Sequence, residues 1–372
     1  MKFKVRKNQI IKALQKIQGV ATTSSTLTIL SHVLLEATET ELFVMANDLE
    51  VGIKTKCSAK VVTAGKVTVP AKNLYRIVKE LPDQLIIFSA DDNCSLEVEC
   101  GDIQFTLNSE PACNYPLFPV VLEEALMEFD APMLADMIDK TKSAICHDEQ
   151  KYNLNGVFTK HTVHPDGSDC IEMVATDAKW LVSTYSSFSG GIYSKLDDGI
   201  IIPTKGVIEL KKLANEYDGE LRYCFVENSI VFKNHTTILA IRLIDGVFPE
   251  YKQCIPNYAP AVAVVDKEPL TRCLHRMMVH SGNKHAGLKF ELSINNLLIA
   301  WSDIEKGDIT ERISVDYAGD DITVRFNATF LTEALAGIET KQVNMSFYGS
   351  HLLYLAPMKS DSYLSLVMAM KL

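Results

Sequence analysis

The stretch FVMAND at residues 43–48 is an apolar run that ends in a polar pair containing aspartate. Two similar stretches follow, MVATD at 173–177 and LIAWSD at 298–303, and their aspartates are spaced 129 and 126 positions apart. This spacing is far longer than a solenoid unit, and its small drift is what loop insertions produce. The sequence therefore predicts three domain-sized repeats. Because each repeat has one such aspartate, three separate turns are predicted rather than one carboxylate cluster.

Each repeat also contains two places where a strand pattern leads into a helix pattern. In the helix patterns apolar residues recur three and four apart, as at Ile10, Leu14 and Ile17, so one stripe faces a sheet. The strand and helix pairs are 3–5 with 10–17, 67–70 with 74–81, 127–129 with 133–145, 200–203 with 207–213, 262–264 with 270–279, and 322–327 with 330–338. Asn327 is predicted to cap the last helix.

Alternating segments at 95–107 and 221–243 indicate antiparallel strands between the helices. The predicted fold class is α+β, with three similar domains that each carry two helices on antiparallel sheets. We place the domains at residues 1–126, 127–256 and 257–372.

Composition limits the kind of protein this is. The 372 residues exceed the ~250–300 at which one hydrophobic core stops growing, which also favours several domains. Apolar runs such as 200–202 fall far short of the ~20 residues that cross a bilayer, so no membrane association is predicted. Nine cysteines without a secretory signal indicate reduced thiols and a cytoplasmic location.

The formal net charge of −10 argues against a protein coated with basic residues, but the lysines and arginines are not evenly spread. Five of the six predicted helices carry them on the face left exposed by the apolar stripe; the second helix of the third repeat, with Glu333, is the exception. A single lysine pair is explained by solvation alone. Five helices on one concave surface would instead present a positive field to nucleic-acid phosphates.

Motifs of catalysis are missing from the sequence. It contains no phosphate-binding loop, dinucleotide fingerprint, nucleophile elbow or zinc-protease helix, so no enzyme activity and no cofactor are predicted. His161 and His164 are the best metal candidates, but a surface loop is the better interpretation, and no metal site is predicted. The run CHDE at 146–149 suggests a cysteine nucleophile at Cys146, although adjacent residues at a helix end rarely face one another.

Several stretches resemble the bacterial DNA polymerase III β subunit family, the sliding clamps, and the resemblance runs from end to end. The matching stretches are TLTIL at 26–30, NDLE at 47–50, TVPA at 68–71, YNLNG at 152–156, ATD at 175–177, GVIEL at 206–210, LIDGVFPEY at 243–251 and VMAMKL at 367–372. Each is weak alone, but their order and spacing are specific.

The resemblance implies a head-to-tail homodimer that closes a six-domain ring around double-stranded DNA. Implied partners are the replicative DNA polymerase, a clamp loader that hydrolyses ATP, and other proteins with a clamp-binding motif. The residues expected to line the ring and contact DNA are Lys12, Lys16, Lys72, Arg76, Lys79, Lys140, Tyr152, Lys205, Lys211, Lys212, Arg272 and Arg276. A loop arginine common in the family is replaced near Ser24, which puts that contact in doubt.

Partners of this family insert a short peptide into a pocket between the second and third domains. The residues expected there are Leu154, Thr176, Ala178, Lys179, Trp180, Leu181, Pro249, Cys254, Leu366, Val367, Met368, Ala369 and Met370. Interdomain core is the alternative interpretation. The chain departs from the usual Gly-His-Arg at Ala178-Lys179-Trp180 and from a usual proline at Ala369. We hypothesise that Trp180 narrows the groove and alters peptide preference.

The ring joint is expected to pair one subunit's first domain with the other's third. The residues are Phe105, Leu107, Met278, Val279 and His280. Because a protonated histidine would place a charge in an apolar seam, closure is expected to weaken near pH 6. Alternatives from other classes are a monomeric nucleic-acid-binding or scaffold protein that kept the fold without the ring, and a hydrolase that depends on Cys146.

Overall fold

The computed structural model describes residues 1–21, 27–90, 95–164, 166–216, 219–254, 260–282 and 285–371. These form two compact units, one of Met1–Leu134 with Lys205–Leu243 and one of Ala135–Thr204 with Ile244–Leu372. The second sequence repeat therefore contributes to both units. The division into two units does not test the predicted limits of this repeat at 127 and 256, which stay a prediction.

Antiparallel strands make up most of the described chain. In chain order the strands are β1 (Lys2–Arg6), β2 (His32–Ala37), β3 (Leu42–Asn47), β4 (Val51–Cys57), β5 (Lys60–Thr63), β6 (Gly65–Pro70), β7 (Leu85–Ala90), β8 (Ser95–Cys100), β9 (Ile103–Asn108), β10 (Met127–Asp130), β11 (Gly156–Val163), β12 (Asp169–Thr176), β13 (Trp180–Ser187), β14 (Ile200–Pro203), β15 (Glu220–Val226), β16 (Ser229–Lys233), β17 (Thr237–Arg242), β18 (Ala261–Asp266), β19 (Gly287–Ser293), β20 (Asn296–Asp303), β21 (Gly307–Asp316), β22 (Ile322–Asn327), β23 (Gln342–Tyr348), β24 (Leu352–Pro357) and β25 (Tyr363–Met368). The helices are α1 (Lys7–Ile17), α2 (Ala71–Glu80), α3 (Ala131–Thr141), α4 (Ser194–Asp198), α5 (Thr204–Asn215), α6 (Lys267–Ser281) and α7 (Ala328–Ala336).

The first unit contains two sheets. One has the strand order β5-β1-β7-β8-β9, and the other has the order β10-β15-β16-β17-β4-β3-β2-β6. Pairing of β4 with β17, from Val51 opposite Ile241 to Thr55 opposite Thr237, joins the first repeat to the second. The strand β9 lies at the free edge of the smaller sheet.

The second unit is built on one long sheet of order β14-β11-β12-β13-β25-β24-β23-β18-β21-β20-β19-β22. Here β13 pairs with β25 and joins the second repeat to the third, as β4 and β17 do for the first two. Met370, just after β25, forms a bridge with Arg325 of β22. The third repeat is therefore closed upon itself at this point.

All six predicted strand-to-helix junctions are present, so the predicted α+β class is confirmed. The predicted stripe of α1 is fully buried at Ile10, Leu14 and Ile17. Asn327 caps α7 as predicted, because its side chain accepts a hydrogen bond from the backbone N–H of Thr329 at 3.0 Å. No helix among the described residues is long and apolar enough to span a membrane.

Two details of the predicted helices are wrong. The first helix of the second repeat ends at Thr141 instead of continuing to residue 145. The Thr141 hydroxyl donates to the carbonyl of Met137 at 2.8 Å, and a 3₁₀ turn at Lys142–Ala144 then ends the helix. The short helix α4 has no counterpart in the predicted pattern.

The turn predicted at each repeated aspartate has the same construction in all three repeats. The Oδ1 atom accepts backbone N–H groups from residues two and three positions later, at Asp48, Asp177 and Asp303 alike. These are Asx-type turns. The prediction of three separate turns rather than a carboxylate cluster is confirmed.

Candidate peptide pocket and DNA-facing helices

An apolar cluster in the second unit contains several of the predicted pocket residues. Leu154, Leu181 and Leu366 are buried there, and Leu181 lies directly opposite Leu366 in the pairing of β13 with β25. The complete set of buried members is Cys146, Leu154, Val174, Leu181, Ile201, Phe248, Tyr251 and Leu366. An apolar cluster of this kind suits the side chains of a bound peptide.

The sequence interpretation missed the aromatic side chains of this cluster. Phe248 stacks on Phe158 with ring centroids 4.9 Å apart, and it meets the ring of Tyr251 edge-on at 6.3 Å. Both Phe248 and Tyr251 lie in the stretch 243–251 that carried the family resemblance. The resemblance of this stretch could have indicated both aromatic residues, but Pro249 is the one residue of the stretch that the sequence analysis places in the pocket.

Trp180 does not line this cluster, contrary to prediction. Successive side chains of a strand point to opposite faces, so Trp180 and its cross-strand neighbour Val367 lie on the face opposite Leu181 and Leu366. The indole Nε1 donates to Ser365 Oγ at 2.7 Å, and the ring stacks on Phe330 of α7 at 5.3 Å. The side chain packs against the third repeat, so these contacts give no support to the hypothesis that Trp180 narrows a groove at this cluster.

The turn before β13 is connected to the chain terminus by backbone hydrogen bonds. Thr176 Oγ1 donates to the carbonyl of Trp180 at 2.7 Å, and the carbonyl of Lys179 accepts from the N–H of Met368 at 2.9 Å. Met368 is half exposed, and Ala369 donates its N–H to His351. These residues form the edge of the strand pair rather than the apolar cluster.

Three further predicted pocket residues are not members of the apolar cluster. Pro249 is exposed and accepts a hydrogen bond from the N–H of Tyr251 at 2.7 Å, and Cys254 is exposed at the end of the 3₁₀ turn Tyr251–Cys254. Met370 is different, because its N–H donates to the carbonyl of Arg325 at 2.7 Å and its side chain lies beside Gly287. Its prediction as a pocket residue is not supported by these contacts.

Ala178 has a backbone φ of +75°, in the left-handed region that favours glycine. We expect Ala178→Gly to raise the free energy of unfolding by about 0.5–1 kcal/mol, because relief of strain exceeds the added backbone entropy of the unfolded chain. Urea unfolding monitored by circular dichroism measures this. Lys179→Gly is the matched control, since Lys179 does not have a positive φ, and it should lower stability. Destabilisation by both variants would contradict the strain at Ala178.

The predicted DNA-contacting residues fall into two groups. Six of them form ion pairs with protein carboxylates: Lys16 with Glu216, Lys140 with Asp136 and Glu339, Lys205 with Asp48, Lys212 with Glu209, Arg272 with Glu268, and Arg276 with Glu311. Lys205 also donates to the carbonyl of Val20 at 3.1 Å and is turned into the protein. The positive field expected from these side chains is therefore reduced by their own partners.

The second group is concentrated on α2. Lys72, Arg76 and Lys79 are exposed and form no ion pair within the described residues, and the same holds for Lys12 on α1. A groove beside α2 is lined by Gln18, Ala21, Ala71, Lys72, Tyr75, Arg76, Lys79 and Glu80. Lys211 is half-buried on α5, and Tyr152 is 58% exposed in the second unit. The predicted Ser24 position lies outside the described residues.

The predicted joint residues lie at free surfaces of the separate units. Phe105 and Leu107 are half-buried on the edge strand β9, flanked by exposed polar neighbours. On α6, Met278 is half-buried, Val279 is 82% exposed, and His280 meets the ring of Trp301 edge-on at 5.6 Å. Apolar side chains exposed in this way are typical of protein interfaces.

His161 lies on β11 rather than in the predicted loop, and it bridges two carboxylates. Its Nδ1 lies 2.7 Å from Asp197 and its Nε2 lies 2.9 Å from Asp169. Burial opposes protonation, but the hydrogen bonds and charges of Asp169 and Asp197 outweigh it and raise the pKa of His161. No group of three or more candidate ligands for a metal ion is found in the described part of the chain.

The raised pKa of His161 predicts a pH-dependent stability. Its contribution is fully present below pH 6.5 and is lost as the pH rises through the raised pKa of the folded state. At low pH we expect the free energy of unfolding of the wild type to exceed that of His161→Gln by about 0.5–1 kcal/mol, because the carboxylates are exposed, and this difference should disappear as the pH rises above the raised pKa. Urea unfolding at several pH values tests this; a pH-independent difference would contradict it.

The Cys146 thiol is buried within the apolar cluster, and the N–H of Asp148 donates to its Sγ at 3.4 Å. The Asp148 side chain instead accepts the N–H of Gln150 as a helix cap. Neither contact places a general base against the thiol. The arrangement gives no support to a hydrolase.

Models of all three domains of the DNA polymerase III beta subunit match the chain: the N-terminal domain at residues 1–119, the central domain at 128–250 and the C-terminal domain at 252–371. The chain belongs to the DNA polymerase III beta subunit family. Beta sliding clamps of Caulobacter vibrioides and Vibrio cholerae are 29% identical over 93% of both chains and 26% identical over all of both chains, respectively.

Solved structures of sliding clamps cover the whole chain and are covered by it in full. The DNA polymerase sliding clamp of Pseudomonas aeruginosa is 29% identical with a TM-score of 0.89, and the beta sliding clamp of Caulobacter crescentus is 26% identical with a TM-score of 0.92. The predicted family, the three clamp domains and the sliding-clamp function are confirmed. The beta subunit family acts as a processivity factor and not as an enzyme, in agreement with the prediction.

Proposed function

We propose that two copies of this sliding clamp join head to tail into a closed ring around double-stranded DNA. The observation that carries the proposal is a pair of free strand edges. In the first unit β9 has a neighbour on one side only. In the second, β21 pairs with β18 only at Val315 and Asp316 within the described residues, so its earlier part has a free side.

These two edges suit a head-to-tail joint. Strand β9 of one copy can extend the sheet beyond β21 of the other, while Phe105 and Leu107 meet the exposed apolar end of α6. A joint made twice closes a homodimer and covers both of these edges in each copy. In this arrangement His280 and Trp301 lie near the seam, and weaker closure near pH 6 stays a prediction.

Enclosure explains how a chain with a net charge of −10 holds DNA. A ring retains the duplex topologically, so it needs only weak, exchangeable contacts to phosphates, which carry no sequence information. The exposed cations of α2 are suited to such contacts. Opening of the ring is assigned to a separate clamp loader that hydrolyses ATP.

The apolar cluster around Leu154, Leu181 and Leu366 is proposed as the site that tethers the replicative DNA polymerase, the loader and other proteins with a clamp-binding motif. Extended peptides with leucine and aromatic side chains fit such a cluster by burial of apolar surface. The proposal places the protein in the cytoplasm, where these partners and DNA are found.

Retention on circular DNA tests the ring. Clamp loaded onto nicked circular plasmid should co-elute with DNA in gel filtration and should be lost once a restriction enzyme linearises the plasmid. A plasmid without the restriction site, treated identically, is the control. A monomeric DNA-binding or scaffold protein would be retained equally on both forms, and that result would refute enclosure.

A further inference from the structure

A buried carboxylate lies behind the apolar cluster of the pocket. Glu172 on β12 is fully buried between Lys160 of β11 and Tyr185 of β13, its cross-strand neighbours. Its Oε1 accepts hydrogen bonds from Ser183 Oγ at 2.9 Å and from the hydroxyl of Tyr251. Its Oε2 has no hydrogen-bond partner among the described residues and lies 3.7 Å from Lys160 Nζ.

Tyr251 connects this carboxylate to the pocket. Its ring is a member of the apolar cluster, edge-on to Phe248, while its hydroxyl reaches Glu172. Burial, with the hydrogen bond and charge of Glu172, raises the pKa of Tyr251 above its usual range, so the hydroxyl stays a donor. Tyr251 also begins the 3₁₀ turn Tyr251–Cys254, two positions after Pro249.

Stability alone does not account for a carboxylate at this position. Burying an ionised group costs several kcal/mol, and an apolar side chain of similar volume would often be equally stable or more so. A charged acceptor does provide a short, directional hydrogen bond that fixes its donor. Here the donor is the hydroxyl of Tyr251, whose ring forms part of the apolar cluster.

We propose that Glu172 is a positioning residue of the peptide pocket, which holds the ring of Tyr251 and the turn Tyr251–Cys254 in the orientation that receives a peptide. Glu172 itself does not touch the peptide. The inference rests on the proposed peptide-tethering function of the cluster and adds the residue that sets the geometry of its wall.

Three variants separate positioning from general stability. Tyr251→Phe removes only the hydroxyl, Glu172→Gln keeps an uncharged acceptor, and Ser183→Ala removes the other donor to the same oxygen without touching Tyr251. The probe is a fluorescein-labelled pentapeptide with two leucines and a C-terminal phenylalanine, chosen because an apolar cluster buries such side chains, and Kd is measured by fluorescence anisotropy on the full-length chain. Urea midpoints are measured in parallel.

Tyr251→Phe is expected to raise Kd about tenfold, the effect of losing one charge-assisted hydrogen bond that orders the wall. Glu172→Gln should keep Kd within about threefold of the wild type, because the amide oxygen still accepts the hydrogen bond of Tyr251. Ser183→Ala should leave Kd unchanged within about twofold. A lower urea midpoint with an unchanged Kd for Tyr251→Phe would overturn the proposal and leave Glu172 a structural residue. Failure of the wild type to bind the peptide would overturn the tethering function itself, and this inference with it.

Discussion

Leu107→Asp is expected to open the ring. Leu107 is half-buried on the edge strand β9, and the proposed joint covers it with apolar side chains of the partner subunit. An unpaired carboxylate in that seam costs about 3 kcal/mol, which corresponds to a rise of roughly 100-fold in the dimer dissociation constant. Sedimentation equilibrium measures this constant, and the same variant should no longer be retained on nicked circular DNA.

Thr106→Asp is the matched control for this variant. Thr106 lies on the same strand with its side chain exposed on the opposite face. The Thr106→Asp variant therefore introduces the same charge without placing it in the seam. Val279→Asp on the partner surface of α6 should reproduce the effect of Leu107→Asp, because Val279 is 82% exposed in the single chain. A Leu107→Asp protein that remains dimeric would show that the joint lies elsewhere.

The repeat could be predicted because it depends on local chemistry. An aspartate that accepts two nearby N–H groups forms the same turn wherever the flanking strands allow it, so Asp48, Asp177 and Asp303 revealed three domains without any knowledge of tertiary contacts. The helix faces were predictable for the same reason, since their apolar periodicity is a local property.

The direction of Trp180 could not be predicted, because it depends on a pairing between residues far apart in the chain. Its position opposite Val367 follows from the register of β13 on β25, and a shift of one residue would have placed the indole in the pocket. The burial of Glu172 could not be predicted for a similar reason. Its donor Tyr251 is 79 positions away, and a glutamate in a strand carries no local sign of burial.

Charge was predicted correctly in its location but not in its effect. The sequence placed lysines and arginines on helix faces, but it could not show that Lys140 meets Glu339, 199 positions away, or that Lys205 meets Asp48, 157 positions away. Burial opposes the charge of Lys140, yet its hydrogen bonds to Asp136 and Glu339 raise its pKa, so the ammonium is held by the protein. Of the predicted DNA-contacting cations that the structure describes, Lys12 and the α2 cluster of Lys72, Arg76 and Lys79 are exposed and form no ion pair with the described carboxylates.

That cluster leads to the prediction with the largest effect on DNA. Replacing Lys72, Arg76 and Lys79 together with alanine should remove up to three phosphate contacts. Each neutralised phosphate contributes about 0.9 to the slope of log K against log salt concentration, so the slope should fall by roughly 2–3. Fluorescence anisotropy with labelled duplex DNA at several salt concentrations measures both the affinity and the slope.

Arg272→Ala with Arg276→Ala is the comparison that distinguishes unpaired from paired cations. These arginines are also exposed on a helix, but Glu268 and Glu311 already hold them, so a phosphate must compete with a carboxylate for each. The double variant should change the salt slope by less than about 1, because little counterion release depends on those side chains. Equal loss of slope per residue in the two variants would contradict the assignment of α2, since it would mean that the ion pairs seen in the folded chain open when DNA is bound.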